Sequence, residues 1–157
     1  VGYTISQDGR TCIEEEQDIV YRDADPTPVP APETIELPPT EGALVRTITP
    51  DPVLLFRFSA LTFNGHRIHY DRPYATGVEG YPGLVVHGPL TAVLLLELVR
   101  RNLQRPISGF SFRGLLPLFD LMPFRVTGAV TTDTVTLEAH RCDGKVAMKA
   151  EATLTAG

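Results

Sequence analysis

The chain has 157 residues, 43% of them apolar and 21% charged, with a formal net charge of −5. This is enough for one domain with its own core, and the scattered Lys and Arg residues argue against a nucleic-acid partner, which needs a concentrated basic surface. No apolar run approaches the ~18 residues that cross a bilayer. Two cysteines, Cys12 and Cys142, are too few for a disulfide scaffold and match no zinc spacing, so a cytoplasmic protein with reduced thiols is expected, or one of the mitochondrial matrix in a eukaryote.

Residues 1–22 read as a hairpin, with β-branched strands on either side of Gln7-Asp8-Gly9, since Asp-Gly is a strong hairpin-turn signal. Two strands are not stable alone, so this piece must pack on something else. Half of the 14 prolines fall between residues 26 and 50, and residues 23–45 are expected to form a semi-rigid extended linker. The start at Val1, with neither an initiator Met nor an apolar signal-peptide core, suggests a processed chain or a piece of a longer one.

A folded domain is expected from about residue 46 to residue 157. LLFRFSALTF alternates as a strand running into a turn, followed by the polar loop FNGHRIHYDRPYA, in which Asn64-Gly65 turns and Arg72-Pro73 breaks any helix. A loop through Leu84-Val85-Val86 then enters a helix near Pro89, where a missing N–H is harmless. Arg100 and Arg101 suit its C-terminal end, and its apolar residues on nearly every side require that protein wrap it. The remainder reads as three or four strands, with turns at Asp133 and Asp143-Gly144. One buried helix followed by a long antiparallel meander predicts an α+β protein of hot-dog architecture.

The segment FNGHRIHYD places Asn64, His66, His69 and Asp71 close together in a chain with four histidines. A metal site could use His66 and His69 at i, i+3, but Arg67 and Arg72 would repel a divalent cation and no third ligand is evident, so no metal is expected. A structural loop and an acid–base site are the other readings. The later segment His87-Gly88-Pro89 favours the acid–base one. Free N–H groups of a helix's first turn attract an anion, and Gly88 lets a ligand carbonyl approach without a Cβ in the way. A thioester carbonyl held there would be polarised toward an enolate. A glycine that only eases the loop into the helix is the alternative.

These residues resemble the MaoC-like, (R)-specific enoyl-thioester hydratases and dehydratases. The family's motif runs Asp, then Asn two residues on, then Pro-Ile-His, one further residue and Asp, followed later by Val-His-Gly-Met-Leu at the start of the central helix. His69 falls on the catalytic histidine, Ile68 and Asp71 on their counterparts, and Gly88 within Val86-His87-Gly88-Pro89-Leu90 on the oxyanion-hole glycine. Asn64 stands where the family has its catalytic Asp, and His66 where it has Asn. The long form FNGHRIHYDRPYA looks like the branch of mesaconyl-CoA hydratases and 3-hydroxyacyl-thioester dehydratases, whose chains often carry two hot-dog halves. The hairpin at 1–22 would then be the tail of a first half.

The resemblance implies reversible hydration of an α,β-unsaturated acyl-CoA, with no cofactor. His69 would be the proton carrier and Asn64 would hold the water, because an amide can orient a water but cannot exchange a proton near neutral pH. Gly88 would stabilise the enolate oxygen, and His66, Arg67, Arg72, Asp71 and His87 would contact substrate. In this role the arginines would meet an acyl carboxylate or CoA phosphates, His66 would be a neighbour or second proton carrier, and Asp71 would serve equally as the residue orienting His69. Tyr70 and Tyr74 read as packing residues. Thioester hydrolysis is a rival weakened by the lack of an acid before Glu97 in the helix; a non-catalytic half supporting another domain is the second rival. Pairing of hot-dog units edge to edge predicts a homodimer or larger assembly, with no nucleic-acid or membrane partner.

Overall fold

The computed structural model describes residues 1–19, 27–36 and 44–155. The end of the expected hairpin (20–22) and much of the proline-rich stretch lie outside them. Strands β1 (Gly2–Gln7) and β2 (Arg10–Glu16) form a two-stranded antiparallel sheet. Asp8 and Gly9 turn it with φ of 50° and 76°, the positive pair that a tight hairpin of natural twist requires. Every residue of both strands is exposed. Residues 27–36 carry no helix or strand and are tied to the domain by Val29 N–H donating to Gly80 O (2.9 Å) and Ile35 N–H to Cys142 O (3.0 Å).

The domain is a five-stranded antiparallel sheet of β3 (Leu44–Ile48), β4 (Ile107–Gly114), β5 (Phe124–Val130), β6 (Thr134–His140) and β7 (Val146–Leu154). Its order is β3-β5-β6-β7-β4, so only β5-β6-β7 is a meander, and β4 crosses to the far edge to pair with β7. Along β7 the inward residues Ala150, Ala152 and Leu154 alternate with exposed Lys149, Glu151 and Thr153, the period of a strand with one face on a core. Helix α3 (Gly88–Asn102) lies against β3, β5, β6 and β7. Its Leu95, Leu98 and Val99 are at most 2% exposed, and burial of each side chain contributes about 1.5–3 kcal/mol. Ala139, Ala147, Ala150 and Ala152 belong to the same core; small side chains leave the helix room to approach the sheet.

The structure corrects three expectations. Residues 54–63 are not a strand: Pro52–Leu61 form helix α1. Asp51 caps it by accepting from Leu54 N–H (2.7 Å), Pro52 occupies its first turn, and Leu55 and Ser59, one turn apart, are its buried residues. Arg72-Pro73 opens a helix instead of breaking one. Helix α2 (Arg72–Gly77) is capped by Asp71, whose carboxylate accepts from Tyr74 N–H. The central helix is not wrapped on all sides by the described residues, because one sheet covers one face; Val93 is 51% exposed and Leu94 half-buried. Among the described residues, no helix is long and apolar enough to cross a membrane.

Candidate active site

Residues 84–87 pass between two other segments and bring the two sequence motifs together. On one side Val85 N–H donates to Ile68 O (3.0 Å); on the other, Val86 N–H donates to Leu118 O (2.8 Å) and Asp120 N–H to Leu84 O (3.0 Å). A small apolar cluster of Ile68, Val85 and Phe119 packs beneath the junction, with Val29, Tyr74 and Tyr81 against it. The buried Asp120 carboxylate reinforces it by accepting from Leu84 N–H (2.9 Å) and pairing with Arg72. Gly83 is needed for this approach, since a Cβ there would lie 2.8 Å from Asp120 Oδ1.

His69 ends a single 3₁₀ turn, Arg67–His69, and the residue is 7% exposed. Its Nδ1 lies 2.7 Å from Val85 O. A carbonyl only accepts, so Nδ1 carries the hydrogen and Nε2 is the atom that can take up a proton. Burial pushes the imidazole pKa below its ordinary 6.5, partly opposed by the Val85 bond and assisted by His66. At neutral pH the ring is a neutral base.

Beneath it lies His87, stacked at 3.7 Å between ring centroids with an interplanar angle of 19°. His87 is 0% exposed, its Nε2 is 2.8 Å from Ser59 Oγ on α1, and the edge of Phe58 meets it at 4.9 Å. Burial first, and His69 second, lower its pKa to about 4. His87 also precedes α3, and its carbonyl accepts from Thr91 N–H (3.1 Å). The stack therefore sets the His69 ring against the residue adjoining Gly88. A Cβ at Gly88 would meet nothing within 4 Å, so open space fronts the helix start.

The other expected site residues divide into two groups. Asn64, half-buried, uses Oδ1 to accept from His66 N–H (3.0 Å), while its own N–H donates to Ser59 O (2.9 Å). His66 is exposed and stands edge-on to His69 at 5.6 Å. Arg67 turns outward, bonded to Asp71 at 2.7 and 3.0 Å and lying 4.0 Å over the Tyr74 ring. Asp71 divides its oxygens between Arg67 and Tyr74 N–H, so Val85 O, not Asp71, orients His69. His87, expected to contact substrate, is fully buried, with its ring against Ser59, Phe58 and His69. Among the described residues, no group of three His, Cys, Asp or Glu side chains gathers.

Sequence reasoning missed Ser59 and Asp120. Ser59 follows Leu55 at a helical interval, a signal legible only once α1 is recognised. The separation of 48 positions between Arg72 and Asp120 leaves no local signal at all.

Comparison with known proteins places this arrangement. The family model for hydroxyacyl-thioester dehydratase type 2 matches residues 1–120. The chain is 62% identical over 154 residues, 98% of its length, to a mesaconyl-C(4)-CoA hydratase of Chloroflexus aurantiacus, covering 55% of that protein. It is 34% identical over 134 residues to the mitochondrial hydroxyacyl-thioester dehydratase type 2 of Schizosaccharomyces pombe, covering 81% of this chain and 44% of the relative. Among solved structures, an (R)-hydratase from A. caviae superposes with a TM-score of 0.65 at 22% identity, over 73% of this chain and 94% of that one. HtdX of Mycobacterium tuberculosis superposes with a TM-score of 0.70 at 18% identity, over 96% and 59%. The fold is the hot-dog fold of the (R)-hydratases and dehydratases. The chain belongs to the hydroxyacyl-thioester dehydratase type 2 family. It spans about half the length of the curated relatives it matches.

Proposed function

We propose that this chain carries the catalytic face for reversible hydration of an α,β-unsaturated acyl-CoA thioester. The observation that carries the reading is a neutral imidazole, His69, with Nδ1 tied to Val85 O and its ring stacked on the residue before Gly88. In the hydration direction a water oxygen bonds to Cβ while His69 Nε2 takes the water's proton. The π electrons move through Cα onto the thioester oxygen, where the Gly88 N–H at the start of α3 stabilises the enolate. His69 then returns the proton to Cα, so one water adds and the imidazole ends neutral. Asn64 positions the water with the amide hydrogens that its bond to His66 does not use.

The name of the 62%-identical relative supports a branched dicarboxylic acyl group of the mesaconyl type. A carboxylate on that group would be met by Arg67 and Arg72, whose side chains are 54% and 44% exposed, in competition with Asp71 and Asp120. Among the described residues no strand pairs with the outer edges of β3 and β4, which suits association with a second hot-dog unit that gel filtration would detect. Free Cys12 and Cys142 agree with a reducing, cytoplasmic setting.

The test replaces His69 with Ala and with Gln and follows loss of the enoyl chromophore of crotonyl-CoA and mesaconyl-C4-CoA. Turnover should fall about 10²- to 10⁴-fold in variants that retain the wild-type circular dichroism spectrum. Unchanged hydration would overturn the assignment, and thiol release without hydration would make the site a hydrolase.

A further inference from the structure

We propose that Ser59 is a positioning residue for proton transfer: through His87 it fixes the ring on which the catalytic His69 rests. The inference rests on the hydration reading of the same site and adds a residue to it.

Ser59 is 6% exposed and sits at the inner side of α1, with its hydroxyl 2.8 Å from His87 Nε2. Its backbone carbonyl accepts from Asn64 N–H at 2.9 Å. One residue of α1 therefore holds both the loop that carries His69 and the turn that precedes Gly88. The two segments also meet through the hydrogen bonds of Val85 and the His69–His87 stack.

The direction of the Ser59–His87 bond follows from counting orphaned groups. His87 Nδ1 is buried and has no hydrogen-bond partner among the described residues. If Nε2–H donated to Ser59, both the serine hydrogen and the Nδ1 lone pair would be left without partners. If Ser59 O–H donates to Nε2, one group is orphaned, the Nδ1–H. Each orphaned buried group carries a desolvation penalty, so the second arrangement is the stable one. A proton on His87 Nε2 would break this donation and put a positive charge 3.7 Å beneath the His69 ring. Ser59 thus holds His87 in one tautomer and in one orientation, as a flat support that leaves His69 Nε2 as the base.

Two measurements test this. In the unmodified protein labelled with ¹⁵N-histidine, NMR should show His87 with a protonated Nδ1 and an unprotonated, hydrogen-bonded Nε2 at neutral pH; a protonated Nε2 would overturn the proposal without any variant. Ser59→Ala and Ser59→Cys should lower kcat for crotonyl-CoA hydration about tenfold with KM little changed, the loss of one oriented hydrogen bond. Ser59→Thr, which keeps the hydroxyl, should recover most of it. Wild-type kcat in a folded Ser59→Ala variant would sink the positioning role while leaving the His69 mechanism intact. Undiminished turnover in His69→Ala would instead bring down the hydration reading.

Discussion

Two glycines of the site can be told apart by the same substitution. A Cβ on Gly88 meets no atom within 4 Å, and its φ is not positive, so Gly88→Ala is accommodated by the folded chain. Alanine also restricts the unfolded state more than glycine, which should raise stability by about 0.4–1 kcal/mol, a gain of roughly 1–4 °C in Tm. On the proposed mechanism the thioester oxygen approaches the Gly88 N–H through this open space, which the added methyl group would partly occupy. Loss of one oxyanion donor typically costs about 10²- to 10³-fold in kcat. Gly83→Ala should behave in the opposite way. Its Cβ would be 2.8 Å from Asp120 Oδ1 and 3.0 Å from Leu121, and Asp120 is held in place by Leu84 N–H and Arg72. Overpacking of this kind destabilises by about 1–3 kcal/mol. Thermal melts and crotonyl-CoA hydration of both variants form the assay. A Gly88→Ala protein with raised Tm and wild-type kcat/KM would refute the argument, because the open space at the helix start would then not be where the reaction takes place.

Other consequences concern charge. His69 and His87 are both held below their ordinary pKa of 6.5, chiefly by burial. Below pH 6.5 the unfolded chain binds protons that the folded one refuses, so stability present above that pH declines as the pH falls. For His87 the interval down to about 4 corresponds to roughly 3 kcal/mol; urea unfolding midpoints should therefore drop between about pH 7 and pH 4.5, with a flatter profile in His87→Gln. Hydration should lose rate on the acid side as His69 becomes protonated, at a pH below the ordinary histidine range, and a rate unchanged down to the onset of acid unfolding would contradict its role as base. At the Arg72–Asp120 pair, whose side chains are 44% and 0% exposed, the partners should differ. Asp120→Ala leaves an arginine that can rehydrate and a buried Leu84 N–H, costing about 1–3 kcal/mol, whereas Arg72→Ala strands a buried carboxylate and should cost about 3–5 kcal/mol. Equal losses in denaturant unfolding would show that the pair is not the clamp described.

Several elements were legible in the chain because their causes are local. Asp8-Gly9 turns the hairpin, Pro89 opens α3, and Arg100 and Arg101 close it, bonded there to Glu97 at 3.3 and 2.7 Å. The alternating strands β6 and β7 are equally plain. At 54–63 apolar alternation suggested a strand, yet the capping pair Asp51-Pro52 just before it signalled α1, and the helix prevailed. The motif around His69 and the glycine before Pro89 marked the two halves of the site.

What a linear pattern could not supply was the partner of each polar group. Val85 O orients His69 across 16 residues, Ser59 meets His87 across 28, and Arg72 finds Asp120 across 48. Backbone preference and periodicity depend on neighbours in the chain, so the sequence by itself determined the central helix, the strands and the chemistry-bearing loop. Hydrogen bonding between distant side chains depends on how the layers pack, and only the tertiary structure decided which imidazole bonds Val85 O through Nδ1 and which lies fully buried against Ser59 beneath it.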